Sequence, residues 1–402
     1  MSGACSNTGA DYLTRVHDDP AEIDPASWDE LLDQQARPTP FMRHAWLLAL
    51  HRSGSAVAST GWSPRFVTLK QEGRLVGAAA LYLKAHSWGE YVFDWAWADA
   101  YNRHGLRYYP KLLGASPFTP VPGSRLLARD GQARLHLARS IRLLAEQQKL
   151  SSAHLLFPAD EDRAALEQDG WLIREGVQFH WQADVAQPCP DFAAFLGTLQ
   201  RHKRKNIAQE RRRVAEAGVS FRALEGAEID EASWDFFYAC YCSTYAAHGS
   251  APYLTREFFR ETAATLPGLW LMFVAKRDGA RVAASLVGID RQRGVAWGRY
   301  WGCLEHIACL HFEACYYQPL QWCIEQGFVR FEGGAQGEHK MARGLLPVVT
   351  TSAHWLRDAR FADAVADFLA REGAGVASYV DELRERNPFR KGDAPPSSSS
   401  PR

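Results

Sequence analysis

One pattern occurs twice in this chain, and it limits the folds available. The first copy, RFVTLKQEGRLVGAAALYLKAHSWGEYVFDWAWA, runs from Arg65 to Ala98. The second, LMFVAKRDGARVAASLVGIDRQRGVAWGRYWG, runs from Leu271 to Gly302. Each reads as a strand, an acidic-Gly turn, a Val/Ala-rich strand, a polar turn and an aromatic strand. Glu72-Gly73 and Asp278-Gly279 are the residue types that a tight hairpin turn takes. Each copy is followed by a helix and a short strand, His154–Phe157 in the first and Val329–Glu332 in the second. Two such units predict two similar α/β domains, 15–185 and 186–390. The second includes a basic helix over 191–217. The segment 391–402, with GDAPPSSSSPR, has the composition of a disordered tail.

Further elements follow from local patterns. Ser27 is a candidate cap for a short helix over Trp28–Leu32, and Phe41–His51 reads as another helix. Arg65–Lys70 and Leu75–Lys84 form the first hairpin. Tyr91–Ala98, nearly continuous in bulky residues, reads as a central strand. Gln132–Lys149 is an amphipathic helix. Trp171–Arg174 and Gln178–Trp181 read as two short strands. Helices are expected from Ser233 through Ala246 and over Leu254–Ala264.

Composition narrows the classes of function. The 402 residues carry 46 basic and 46 acidic side chains, so the whole molecule lacks the charge of a nucleic-acid binder. The eight cysteines include no CxxC pair, and Cys240-Tyr241-Cys242 is poor zinc spacing, so no metal site is expected. The opening MSGACSNTGADYLTRVHDDP has no apolar run, and no window reaches the length of a membrane span. The expectation is a cytoplasmic protein. One chain already supplies two domains, so it needs no dimer; monomer and dimer both stay open.

Chemistry concentrates in HFEACYYQPLQWCIEQGFVRFEGGAQGEHKMARG, residues 311–344. An aromatic helix leads into a strand ending at Glu332. A glycine-rich turn then presents Gln336, Glu338, His339, Lys340 and Arg343. Titratable groups just past a buried strand are where α/β folds place function.

The hairpin and the region to Gly123, RHKRKNIAQERRRVAEAGV, and GRYWGC through to Trp355 together resemble the FemAB-like family. That family, labelled peptidoglycan biosynthesis or recognition, falls within the GCN5-related N-acetyltransferase (GNAT) superfamily. The resemblance covers roughly residues 15–390. It implies tandem acetyltransferase-like domains, with central mixed, mostly antiparallel sheets flanked by helices. It also implies acyl or aminoacyl transfer to an amine, with an acyl-CoA or an aminoacyl-tRNA as co-substrate and no tightly bound cofactor. The acceptor would be a small molecule or a peptidoglycan precursor. One feature departs from the superfamily. The Gln/Arg-x-x-Gly-x-Gly/Ala loop that holds the pyrophosphate of acetyl-CoA has no clean copy. Gly333-Gly334-Ala335-Gln336-Gly337 follows a strand but precedes no evident helix.

Transfer to an amine needs a base, a held nucleophile and donors for the oxyanion. Glu332, His339, Lys340 and Asp94 are the catalytic candidates. Glu332 is either a desolvated base or a strand-end carboxylate tied to an arginine. His339 titrates near neutrality. Lys340 suits a phosphate or a carbonyl, unless it is a solvated loop residue. Asp94, alone in an apolar run, either orients an arginine or acceptor amine or forms a buried ion pair. Arg299 and Tyr300, in the matching strand of the second half, are binding candidates. So are Tyr108, Tyr109, Gln336, Glu338 and Arg343. His311 and Glu313 rank lower. Arg204 and Lys205 belong to a basic run, Arg201–Arg213, that contains one acid, Glu210. That helix either grips a polyanion, tRNA or a diphosphate, or is simply a solvated face. A recognition module with the same cleft and no chemistry is the alternative to a transferase.

Overall fold

The computed structural model describes residues 12–335, 337–390 and 392. Both predicted hairpins form. β3 (Phe66–Gln71) pairs with β4 (Arg74–Ala79), following β1 (Leu13–His17) and β2 (Trp62–Pro64). Glu72 and Gly73 turn with φ of 52° and 80°, and Asp278 and Gly279 with 51° and 79°. Positive φ at both central residues matches the twist of the flanking strands. The second strand of the first hairpin is not continuous. It breaks at Ala80, and β5 (Leu81–Lys84) joins a different sheet.

The remaining strands are β6 (Lys111–Gly114), β7 (Leu127–Ala128), β8 (Ser152–Leu156), β9 (Leu172–Gln182), β10 (Val219–Glu225), β11 (Trp270–Arg277), β12 (Ala280–Asp290), β13 (Val295–Cys303), β14 (Arg330–Ala335) and β15 (Leu346–Leu356). Eleven of the fifteen described strands form one sheet in the order β10-β11-β12-β13-β14-β9-β15-β8-β6-β5-β2. A smaller sheet holds β1-β3-β4-β7. β9, from the first sequence half, lies between β14 and β15 of the second. β15 in turn pairs with β8. Each half thus lends a strand to the middle of the large sheet. That central pairing explains why Trp171–Arg174 and Gln178–Trp181 are not two strands. β9 is one 11-residue strand, because β15 supplies ladder partners without a break through Glu175-Gly176-Val177.

Helices cover the sheets: α1 (Pro25–Asp33), α2 (His44–Arg52), α3 (Trp95–Arg103), α4 (Gly131–Gln147), α5 (Asp160–Gln168), α6 (Phe192–Thr198), α7 (Arg201–Glu216), α8 (Glu231–Ala247), α9 (Arg256–Thr265), α10 (Leu310–Phe312), α11 (Gln318–Glu325) and α12 (Ala359–Glu385). A π turn, Glu313–Tyr317, joins α10 to α11. Asp24, not Ser27, caps α1; its carboxylate accepts from the Ser27 backbone at 2.8 Å. The helix expected at Phe41 starts at His44, after a 3-10 turn.

Tyr91–Ala98 departs most from expectation. It is not a strand but a loop entering α3. Trp97 and Tyr101, four residues apart, bury against Leu356, Val365 and Leu369, while Trp95, Asp99 and Asn102 face outward. That spacing is helical, and the density of bulky residues hid it. Asp94 therefore stands at the start of a helix, and Arg299 on β13 is not its counterpart.

The largest core cluster draws on both halves. Phe41 packs edge-on against Trp297 at 5.2 Å, and Trp46 against Phe258 at 4.9 Å and Trp270 at 5.8 Å. Trp46 is fully buried, so truncating it to alanine costs about 3–5 kcal/mol. Among the described residues, no helix is long and apolar enough to cross a membrane.

Candidate active site

The large sheet contains two parallel pairs, β6 with β8 and β13 with β14. β13 and β14 pair over only Val295–Trp297 and Arg330–Glu332. A bulge follows the last paired residue: on the β12 side Leu286 opposes Tyr300 and Val287 opposes Gly298, leaving Arg299 as the extra residue. Beyond it a cavity of about 150 Å³ opens, lined by Arg299, Tyr300, Trp301, His311, Tyr316 and Gly333, among others. A second cavity of about 300 Å³ shares Arg299, Tyr300 and Trp301 and adds Tyr91, Tyr241 and Tyr245. Two compartments that meet at one bulged strand suit a reaction that joins two substrates.

Close backbone approach fixes this strand. A Cβ at Gly302 would lie 1.8 Å from the Cys240 carbonyl oxygen, so α8 crosses β13 where glycine alone fits. The Ser243 and Thr244 hydroxyls donate to the Cys303 and Trp301 carbonyls at 2.9 and 2.8 Å.

The glycine-rich stretch folds at the mouth of the smaller cavity. It does lead into a helical turn, the 3-10 segment Glu338–Arg343 between Gly337 and Gly344. Buried Lys340 donates from Nζ to the Gly333 and Gly334 carbonyls at 2.6 and 3.3 Å. Arg343, also buried, donates to the His339 carbonyl at 2.6 Å and to Glu210 at 2.7 Å. Its guanidinium lies 3.7 Å from the Phe312 ring centre. Tyr317 donates to the same Glu210 carboxylate. The one acid in the basic run is thus the anchor between α7 and the turn. Arg211 adds a second tie, to Glu313 at 3.1 Å.

The Tyr316 hydroxyl and His339 Nε2 are 3.2 Å apart. The His311 ring sits 5.3 Å from Trp301 and 5.7 Å from Tyr316. Partial desolvation, then the Arg343 and Lys340 charges, push His339 below its ordinary value. Desolvation and the same cationic neighbours, with His339, push His311 down. Both shifts favour the neutral imidazole, the form able to accept a proton, while making each a weaker base. Burial lowers Lys340 to about 8.

The sequence candidates do not all meet here. Arg299 and Tyr300 line the smaller cavity with His311 and Tyr316; His339 reaches it through Tyr316, while Lys340 and Arg343 line neither cavity and brace the turn. Arg299 also donates to the Phe118 carbonyl at 2.8 Å, a contact with the first half. Glu332 lines neither cavity. It is buried between Arg37 at 3.2 Å and Arg330 at 3.1 Å. Burial alone would raise it, but His180, Arg37 and Arg330 hold it below the usual carboxylate range, ionised. Asp94 and Tyr108 lie in the first half, where Tyr108 donates to Asp94 at 2.6 Å and Lys111 contacts the same oxygen. Burial raises Asp94, yet Lys111 outweighs it and holds the carboxyl low. Tyr109 shares a hydrogen bond with Ser87 at 2.8 Å. Glu338 faces α12, accepting from Tyr379 at 3.1 Å and Arg386 at 3.3 Å. Arg204 donates to the Gly197 carbonyl at 3.2 Å, while Lys205 is exposed. Gln336 lies outside the described residues.

Sequence reasoning underrated His311 and missed Tyr91, Tyr241 and Tyr245. His311 had a usable signal, two residues past the start of the helix that follows an aromatic strand. The turn between β13 and α10, Leu304–Cys309, holds no glycine. Among the described residues, no three His, Cys, Asp or Glu side chains gather as a metal site.

A mixed α/β protein with one large mixed sheet flanked by helices is the class this fold defines. A sequence model for FemAB-like proteins, described as peptidoglycan biosynthesis/recognition, matches residues 19–391, and the chain belongs to that family. Solved structures agree on the fold. FemX superposes with a TM-score of 0.53 at 12% identity, covering 86% of this chain and 98% of its own. L-PGS from Bacillus licheniformis gives 0.51 at 12%, covering 83% and 92%. The C-terminal domain of a putative lysylphosphatidylglycerol synthetase from Agrobacterium fabrum gives 0.52 at 11%, covering 87% and 96%. No curated protein matches the sequence.

Proposed function

We propose that this protein is an acyltransferase that moves an acyl or aminoacyl group from an activated ester or thioester to an amine. The acceptor on this reading is a peptidoglycan-related precursor, in keeping with the family's description. The observation that carries the proposal is the divergence of β13 from β14 beside the His311 and His339 imidazoles. The donor carbonyl would lie between the strands, and the amine would approach across the Arg299–Trp301 bulge.

An acceptor ammonium must lose one proton before it attacks. His311, or His339 through the Tyr316 hydroxyl, is placed to take it. The carbon–nitrogen bond then forms, and the carbonyl oxygen carries the negative charge. Collapse expels the alcohol or thiol, which recovers a proton, and the second amine proton leaves. Arg299 lines both cavities and supplies a fixed cation where they meet. Lys340 holds the glycine turn in place through Gly333 and Gly334.

Two donors fit this scheme. An acyl-CoA would place its diphosphate near the turn, and an aminoacyl-tRNA would lay its backbone along α7, where Arg201, Lys205, Arg212 and Arg213 are exposed. The binding-only reading keeps one supporting observation: Glu332, the buried carboxylate nearest the turn in sequence, is neutralised by two arginines. The test is incubation with radiolabelled acetyl-CoA, or with a labelled aminoacyl-tRNA mixture, and a soluble muropeptide, lysine or cadaverine as acceptor. Labelled amide product supports the transferase. Muropeptide binding with no transfer from either donor overturns it in favour of recognition.

A further inference from the structure

The exposed large hydrophobic residues are not evenly spread. Trp88, Tyr91, Phe93 and Trp95 fall within eight residues of the first half, on the strap between β5 and α3. Trp88 and Trp95 touch each other at 5.1 Å. Tyr91 and Gly89 have φ of 64° and 80°. A bulky aromatic at positive φ is an outlier, and surrounding contacts must hold it there.

Those contacts are unusually strong. Lys111, fully buried on β6, donates to Ser87 at 2.8 Å and Glu90 at 2.7 Å and contacts Asp94. Three positions of the strap are thus fastened to one ammonium. Lys84, the cross-strand partner of Lys111, is also buried and donates to the Trp88 carbonyl at 3.2 Å. Gly89 lies against Phe118, whose ring a Cβ there would meet at 2.6 Å. Phe118 stacks on Tyr253 of the second half at 4.9 Å, and its carbonyl receives Arg299. The result is that Tyr91 lines the larger cavity opposite Tyr241, Tyr245 and Tyr300. The charge cluster around Asp94, which plays no part in the chemistry above, has a purpose in this arrangement.

We propose that this cavity is the acceptor subsite, that Tyr91 selects the acceptor, and that Lys111 is the positioning residue that sets Tyr91. This rests on the transferase reading and goes beyond it in assigning a side and a ligand chemistry. Tyrosine and tryptophan faces form the walls, and Arg299 is the cation among them. Such a site takes an amine that also carries an anionic group and an apolar face. The amine crosses from here to the β13–β14 gap, so donor and acceptor enter from different compartments.

The experiment compares wild type, Tyr91→Ala, Tyr91→Phe and Lys111→Met with lysine, cadaverine and a soluble muropeptide as probes. Transfer is read as separate KM values for donor and acceptor, and muropeptide binding by calorimetry. Wild type should prefer lysine to cadaverine, which lacks the carboxylate. Y91A should raise the acceptor KM, or the muropeptide Kd, about tenfold, with donor KM within twofold; Y91F should recover most of the loss. If K111M folds, it should reproduce Y91A. Y91A indistinguishable from wild type, or acceptor and donor KM rising together, overturns the assignment and leaves the transferase reading intact. A folded K111M with an unchanged acceptor KM removes Lys111 from it. A wild type that neither transfers to nor binds any of the three probes overturns the transferase reading and this inference with it.

Discussion

The two parallel strand pairs of the large sheet have the same local topology and opposite contents. In the second half, β13 and β14 part beyond Trp297 and leave space. In the first, β6 and β8 pair over Leu112–Gly114 and Ala153–Leu155, and the surroundings are filled. Gly114 faces Leu155 and Leu81, each 3.0 Å from where a Cβ would sit. Where β6 begins, Lys111, Asp94, Tyr108 and His154 form a hydrogen-bonded chain that continues to His354 at 2.7 Å. The difference is one of contents, not of topology. One pair leaves a cavity, and the other is packed solid and carries the strap that reaches across to the first. Charge in the closed pair fixes geometry; beside the open pair His311 and His339 stay exposed.

That contrast is easiest to break at its two lysines. Lys111→Met leaves Asp94 and Glu90 buried without their partner, so it should cost about 3–5 kcal/mol in urea unfolding. Lys340→Met, which loses the hydrogen bonds to the Gly333 and Gly334 carbonyls, should cost about 1 kcal/mol. Equal losses would mean that the two sites do not differ as described. Next in size is chemistry. The double change His311→Ala and His339→Ala should lower transfer about 10²-fold, near 2.7 kcal/mol, with less than about 1 kcal/mol lost in stability. Retained activity would move the base elsewhere in the cleft.

A pH series sharpens the picture of the closed pair. Burial raises Glu90 from 4.5 to about 7, against the opposing pull of Lys111. A raised folded value adds stability that is fully present below pH 4.5 and is lost as pH rises through 7. Wild type should therefore lose about 2 kcal/mol relative to Glu90→Gln between pH 5 and 7.5. A constant difference between the two would show that Glu90 is ionised throughout. Lys84, lowered by burial to about 7, acts in the opposite sense, but between 7 and 10.5, above that window. The smallest effect belongs to the open half's surface. Lys205→Glu should change stability by less than about 0.5 kcal/mol. It should still flatten the salt dependence of a tRNA donor and leave a CoA donor unaffected.

Much of the second half was legible in the sequence. β11, β12 and β13 follow their apolar runs and turn residues, and the glycine-rich turn buries Lys340 against the Gly333 carbonyl and Arg343 against Glu210. The first half was harder to read. Trp95-Ala96-Trp97 reads as strand until the packing of Trp97 and Tyr101 on α12 shows the helical period. Glu210 looked like an interruption of a basic helix and is its anchor to Arg343. Glu332 was a sound candidate on position alone. Only the approach of Arg37, 295 residues away in sequence, gives it a different environment.

The sequence by itself determined the hairpins, the family and the stretch around residue 340 where polar groups gather. These depend on short-range rules: side-chain period, turn residues and local motif. The tertiary structure decided the exchange of β9 and β15 between halves, the gap between β13 and β14, and the reach of Tyr91 into that gap's neighbouring cavity. Those outcomes arise from contacts between residues hundreds of positions apart. A buried charge such as Lys111 looks, in a sequence, the same as an exposed one; its meaning depends on which carboxylates the fold brings within 3 Å.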